Sequence, residues 1–482
     1  MKIGKFLTSF LTILSASALL HWSAATAEPV KTNLYNQDNE FLKRYHIVDG
    51  RRVDNPLWYL SSGINRLLYP SFKNKQPYPN DPYYKSTGSW GQPYADLWGI
   101  KKINVNKAWG LYKGQGITIA IVDSGINFWH EDITANLFAN SKELFGLPGF
   151  DDDGNGFMDD ISGWDFVDND SYALDLYGHG THLAGIAAAT GNNKRGIIGV
   201  APLANVLSVR VLDQYGGGTI ENVANGIRYA ASMGAKIINL SFGGFVYDVT
   251  LVSLLQDAVD FAINRGSIIV AAAGNSSTSL DHFVPADLTG VIAVGATDPY
   301  DNRASFSNYN NDPNDFFIMA PGVDILSLGS KKAYIGQAVS KNYYLSSGTS
   351  MSAPFVSGAI ALLLNKYPNA SLNDIKTLLA NGAVDLGDPG WDPYYGYGRL
   401  DVAKSLGITS STSAQSSGAG FTLTVTTTSL PLKQTSAGVK NSAVEEILQK
   451  NAVHEDLGKK RKEISFMNRM SYKNFLEERR VE

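Results

Sequence analysis

The sequence predicts an α/β fold, a parallel and mostly buried β-sheet with helices on both faces, and three observations predict it. Five short runs are apolar on both faces: ITIAIVD (117–123), VLSVRVL (206–212), KIINLSF (236–242), SIIVAAA (267–273) and VIAVGAT (291–297). Strands that hide both faces belong to sheets covered on each side. Between these runs lie TIENVANGIRYAASMG and LVSLLQDAVDFAINRG, with apolar residues at helical spacing and a closing glycine of the kind that ends helices. The alternation of strand and helix requires crossover connections and therefore parallel pairing. Finally, chemistry-bearing residues recur at the ends of these elements, and the carboxyl edge of a parallel sheet is where ligands bind.

The chain has 482 residues, of which 44% are hydrophobic, enough for one large domain with extensions. A net charge of -4 gives no basic excess for phosphate backbones, so no nucleic-acid partner is expected. At the start, Lys2 and Lys5 precede an apolar run from Phe6 to Leu20 and then Ala25-Thr26-Ala27. This pattern reads as a secretory signal over residues 1–27, too short to span a bilayer, which predicts a secreted protein, periplasmic or extracellular, without stable membrane insertion. With no cysteine, stability outside the cell must come from core burial, bound ions or both.

Residues 28–78 are polar and aromatic with short apolar patches, an N-terminal extension or pro-segment. The predicted catalytic domain covers 79–407. Residues 408–430 form a Ser/Thr-rich linker, and 431–482 a charged tail whose default reading is a solvated one.

Within the domain, the strand ITIAIVD ends in DSGI, placing Asp123 at a strand end. His179 opens the helical segment GHGTHLAGIAAA. HGTH lacks the glutamate and the four-residue spacing of a zinc-protease helix, and the glycines lack dinucleotide-loop spacing. The third segment, GTSMSAPFVSG, precedes the apolar run AIALLLNKY. Serine and threonine suit the head of a helix and proline is tolerated near its first turn, which leaves Ser350 without a structural task. A hydroxyl becomes a nucleophile when a base takes its proton, and that base works best when a buried carboxylate orients it. Asp123, His179 and Ser350 supply these three groups. SIIVAAA runs into AGN, so Asn275 lies at a strand end where its amide can donate to a developing oxyanion beside the Ser350 backbone N–H.

Taken together and in this order, DSGI, GHGTHLAG, AAAGN and GTSMSAP resemble the subtilisin-like serine proteases over roughly Pro79 to Leu406. The resemblance implies a three-layer sandwich with Asp123 orienting, His179 as base and then acid, Ser350 as nucleophile and Asn275 as oxyanion donor. It also implies that a peptide adds as a strand between Gly216-Gly217-Gly218 and Ser241-Phe242-Gly243. The segment containing Ala272 and Gly274 would wall the first specificity pocket; its small uncharged residues point to apolar side chains at the cleavage site, and no acidic cluster suggests dibasic specificity. The protein is thus expected to be a monomeric endopeptidase acting on polypeptides. The alternative is a catalytically silent or autoinhibited binding protein of the same fold.

Two departures stand out. Residues 28–78 are shorter than the usual folded pro-domain of the family. Between Asp123 and His179 lies DDDGNGFMDDISGWDFVDND, with eight aspartates that repel unless a cation separates them. Asp151, Asp153, Asn155, the Phe157 carbonyl and Asp159 follow the alternating spacing of the first part of an EF-hand loop, although Ser162 replaces its closing glutamate. A structural Ca²⁺ is expected here, as in similar inserts of related proteases.

Overall fold

The computed structural model describes residues 79–330 and 336–408, together with the backbone of an antiparallel strand pair, Tyr45–Val48 with Arg51–Asp54. The expected signal, the rest of the extension, nearly all of the linker and the whole tail lie outside the described residues.

Seven parallel strands form the main sheet: β1 (Thr118–Asp123), β2 (Gly163–Asp165), β3 (Asn205–Arg210), β4 (Ile237–Leu240), β5 (Ile268–Ala272), β6 (Ile292–Thr297) and β7 (Phe316–Pro321). Their order across the sheet is β7-β6-β5-β4-β1-β3-β2, so the chain reverses its direction of winding beside β1. All five apolar runs became strands. The sequence reading missed β2, which sits inside the acidic stretch, and β7.

Period-two alternation divides each strand between two cores. Ile119 and Ile121 face one core, and Ala120 and Val122 face the other; in β5, Ile268 and Val270 oppose Ile269 and Ala271. Helices α1 (His179–Ala188) and α4 (Thr349–Lys366) cover the first face through Leu183, Ile186, Phe355 and Ile360. The second is covered by α2 (Ile220–Ser232) and α3 (Val249–Asn264) through Val223, Ile227, Leu255 and Val259. Both of these helices end as expected, with Gly234 at φ 77° and Gly266 at φ 79° just past their last turns. A smaller antiparallel sheet of β8 (Ile325–Leu328), β9 (Gln337–Ser340) and β10 (Tyr343–Ser346), in the order β8-β10-β9, packs its β8 against α1. Among the described residues no helix is long and apolar enough to cross a membrane.

Helix α4 departs from the expected local logic. Gly348 occupies its N-cap and no side chain caps it, so the serines do not perform the capping that their position suggested. Pro354 is the sixth residue of the helix, past the first turn, where its missing N–H deprives the Ser350 carbonyl of a partner. The Ser241 hydroxyl donates to that carbonyl instead, at 2.9 Å.

Candidate active site

Asp123 ends β1, fully buried, and His179 is the first residue of α1. The His179 Nδ1 lies 2.8 Å from the Asp123 Oδ1, which also accepts the Ser124 backbone N–H at 2.8 Å. The two elements approach closely because neither contact residue has a side chain: a Cβ on Gly180 would stand 2.2 Å from the Gly125 carbonyl oxygen. Burial alone would lower the His179 pKa, but the Asp123 carboxylate, with Asp175 behind it, outweighs burial and raises it above the ordinary value. His182, one turn on, is buried without a nearby carboxylate partner; its pKa falls to about 3 and it stays neutral, with Nε2 3.1 Å from the Tyr344 carbonyl.

Ser350 is the second residue of α4, so its backbone N–H has no intrahelical partner. A buried polar relay fixes that turn to β4: the Ser357 hydroxyl donates to Asn239 Oδ1 at 2.8 Å, Asn239 Nδ2 donates to Ser241 Oγ at 2.8 Å, and Ser241 holds the Ser350 carbonyl. Asn275 follows β5. Its Oδ1 accepts both the backbone N–H and the hydroxyl of Thr349, at 2.8 and 3.0 Å, which fixes the amide and leaves Nδ2 as the free donor.

His179, Asn275 and Ser350 share one cleft with a volume of about 330 Å³. Of the positions expected to meet a substrate, Gly216, Ser241, Phe242, Gly243, Ala272 and Gly274 line it. Gly217 and Gly218 belong to the same exposed turn as Gly216 but do not line the cleft; Gly217 closes that turn by exchanging hydrogen bonds with Asp213. Tyr177, Leu212 and Phe283 add apolar surface to a cleft otherwise rich in polar groups, and spacing along the chain does not announce them.

In the acidic insert, Asp151 accepts the N–H groups of Gly154, Asn155 and Gly156, and Asp159 accepts that of Gly149. Asn155 accepts the Phe157 N–H through Oδ1 and gives Nδ2 to Asp160. Asp153 instead joins Glu143 and Asp160, each offering one carboxylate oxygen, with these atoms within 4.8 Å of one another. Burial raises the Asp160 pKa to about 6, although Tyr229 and Asn140 donate to it. Three converging carboxylates make an all-oxygen donor set suited to a hard divalent cation. Glu143 escaped the sequence reading because it lies before the insert, on a short helix spanning Ser141–Phe145.

Residues 114–398 match the subtilase (Peptidase_S8) family. The chain belongs to that family. It is 39% identical to thermitase of Thermoactinomyces vulgaris over 328 residues, 68% of this chain and 99% of that protein. Subtilisin DY of Bacillus licheniformis is 36% identical over 309 residues, covering 63% of this chain and 96% of its own. Among solved structures, a protease from Pseudoalteromonas arctica superposes with a TM-score of 0.54 at 28% identity, over 68% of this chain and 98% of that one. This subtilase is accordingly a serine-type endopeptidase, and the three-layer α/β sandwich is its family's fold.

Proposed function

We propose that the protein is an exported endopeptidase that cleaves polypeptides with a preference for apolar side chains at the cleavage site. Asp123, His179, Ser350 and Asn275 perform the chemistry. The observation that carries these roles is the 2.8 Å contact between His179 and the buried Asp123, with Ser350 and Asn275 in the same cleft. Ser350 Oγ attacks the substrate carbonyl carbon while His179 Nε2 takes its proton, and the Asp123 carboxylate stabilises the resulting imidazolium. Negative charge on the carbonyl oxygen is met by Asn275 Nδ2 and the Ser350 N–H. His179 then protonates the leaving amine as the C–N bond breaks, and water repeats the sequence to release the acyl group from Ser350.

Leu212, Phe242 and Phe283 support the apolar preference, since they offer apolar surface within the cleft. A peptide strand would run beside Gly216 and along Ser241 to Gly243. Export rests on the N-terminal signal pattern over 1–27, and residues 28–78 are an N-terminal extension or pro-segment. The domain works as a monomer.

A structural Ca²⁺ is the cation the acidic insert suits. Asp153, Glu143 and Asp160 are its principal ligands, with Asp151, Asn155, the Phe157 carbonyl and Asp159 ordering or completing the loop. The bound ion would neutralise converging carboxylates and stabilise the native insert.

Labelling with a sulfonyl fluoride tests the catalytic reading. Mass spectrometry should find the adduct on Ser350 alone, and Ser350→Ala should abolish both the adduct and casein hydrolysis. An adduct elsewhere, or hydrolysis that survives the substitution, would overturn it. Peptides varied at the residue before the cut should be cleaved fastest with Phe, Leu or Tyr; faster cleavage after Lys or Arg refutes the apolar preference.

A further inference from the structure

Behind the cleft, a second buried carboxylate accepts five hydrogen bonds and has no assigned part in the chemistry. Asp175 Oδ1 accepts the Ser124 hydroxyl at 2.9 Å and the backbone N–H groups of Tyr177 and Gly178 at 3.0 and 2.6 Å. Its Oδ2 accepts the Thr181 N–H at 2.9 Å and the Thr181 hydroxyl. Every partner donates. The Thr181 hydroxyl already accepts the Asn127 N–H, and the Ser124 hydroxyl already accepts the Gly180 N–H, each at 2.9 Å. Burial pushes the Asp175 pKa up, and these five donors, which match an ionised carboxylate, oppose that rise.

We propose that Asp175 is a positioning residue for His179, tying the first turn of α1 to the Asp123-Ser124 turn through the Ser124 hydroxyl. Three features support it. The carboxylate binds N–H groups on both sides of His179, at Gly178 before it and Thr181 after it, so the helix start cannot rotate without breaking them. Ser124 is bonded to both sides, with its backbone N–H on Asp123 and its hydroxyl between Asp175 and the Gly180 N–H. An anion at the first turn also complements the helix dipole. Asp123 contacts the His179 ring and Asp175 acts on it through space, neutral His182 lies one turn on, and the Tyr177 ring stands 6.3 Å away. The helix start is thus clamped before substrate arrives, which preserves alignment that a shift of about 1 Å would cost roughly a hundredfold in rate.

The inference rests on His179 being the base, and the test separates the two. Peptide hydrolysis and the rate of Ser350 sulfonylation are followed against pH for the wild type, Asp175→Asn, Asp175→Glu and Ser124→Ala. Asp175→Asn should lower kcat/KM at least about tenfold, mainly through kcat, and move the acidic limb to lower pH because a negative charge near the imidazolium is gone. Asp175→Glu should restore the limb to its wild-type place. Ser124→Ala keeps the carboxylate, so kcat should fall with the limb unmoved; this variant decides the matter if Asp175→Asn does not fold. A wild-type limb in Asp175→Asn, whatever its rate, or wild-type kcat in Ser124→Ala, overturns the proposal. Failure of the wild type to label at Ser350 overturns the catalytic assignment and the proposal with it.

Discussion

Substituting Ser241 by alanine removes one hydroxyl and orphans two groups. The Ser350 carbonyl loses its donor, because Pro354 has no N–H to offer, and Asn239 Nδ2 loses its acceptor in a fully buried position. Each orphaned buried group costs about 1–3 kcal/mol. Taking the carbonyl at the lower end, since Ser350 is half-buried, gives a destabilisation of about 3 kcal/mol. At about 2 °C per kcal/mol for a domain of this size, Tm should fall by about 6 °C. Denaturant unfolding is measured on a Ser350→Ala background to prevent self-cleavage; that change leaves the backbone carbonyl in place. Pro354→Ala supplies the decisive second leg, because its new N–H stands four residues after Ser350 and can bond that carbonyl within the helix. Loss of Ser241 should then cost about 1 kcal/mol less than it does beside proline. Equal costs in both backgrounds would refute the account of how this turn is held. With Ser350 retained, Ser241→Ala should also lower kcat/KM, as the turn that carries Ser350 loosens.

Three further outcomes are expected. The His179 pKa is raised, so protonation of this group favours the native state below its unfolded value, and that contribution is lost as pH climbs through the native one. Catalysis needs the neutral ring, so kcat/KM should rise across a limb lying above the ordinary histidine value of ~6.5; a plateau reached below about pH 6 would rule His179 out as the base. Gly180→Ala forces a methyl against the Gly125 carbonyl, which should cost about 1–3 kcal/mol by denaturant unfolding and reduce kcat/KM at least about tenfold; wild-type kinetics would show that α1 and β1 can separate harmlessly. Chelator should lower Tm, and Glu143→Gln should lower Tm in calcium while shrinking the chelator effect; identical melting with and without chelator removes the metal from the account.

Much of this subtilase was legible along the chain, because burial on both faces forces strands into runs of five or six apolar residues and covering helices into a 3.6-residue period. The same constraint exposed Asp123, His179, Asn275 and Ser350, each a polar residue at the end of an apolar element. Local pattern could not reveal what depends on distant packing. The partner of the Ser350 carbonyl lies 109 residues away, just past the end of β4, and the anion that steadies α1 sits in a loop whose aspartate resembles any other. Glu143 lies outside the spaced aspartates and reaches Asp153 and Asp160 only once the chain folds. Sequence by itself determined which residues had to be buried and which chemical groups stood at the sheet edge. Tertiary structure alone decided which of those groups meet, because hydrogen bonds and carboxylate clusters depend on separations of a few ångströms in space, for which order along the chain carries no measure.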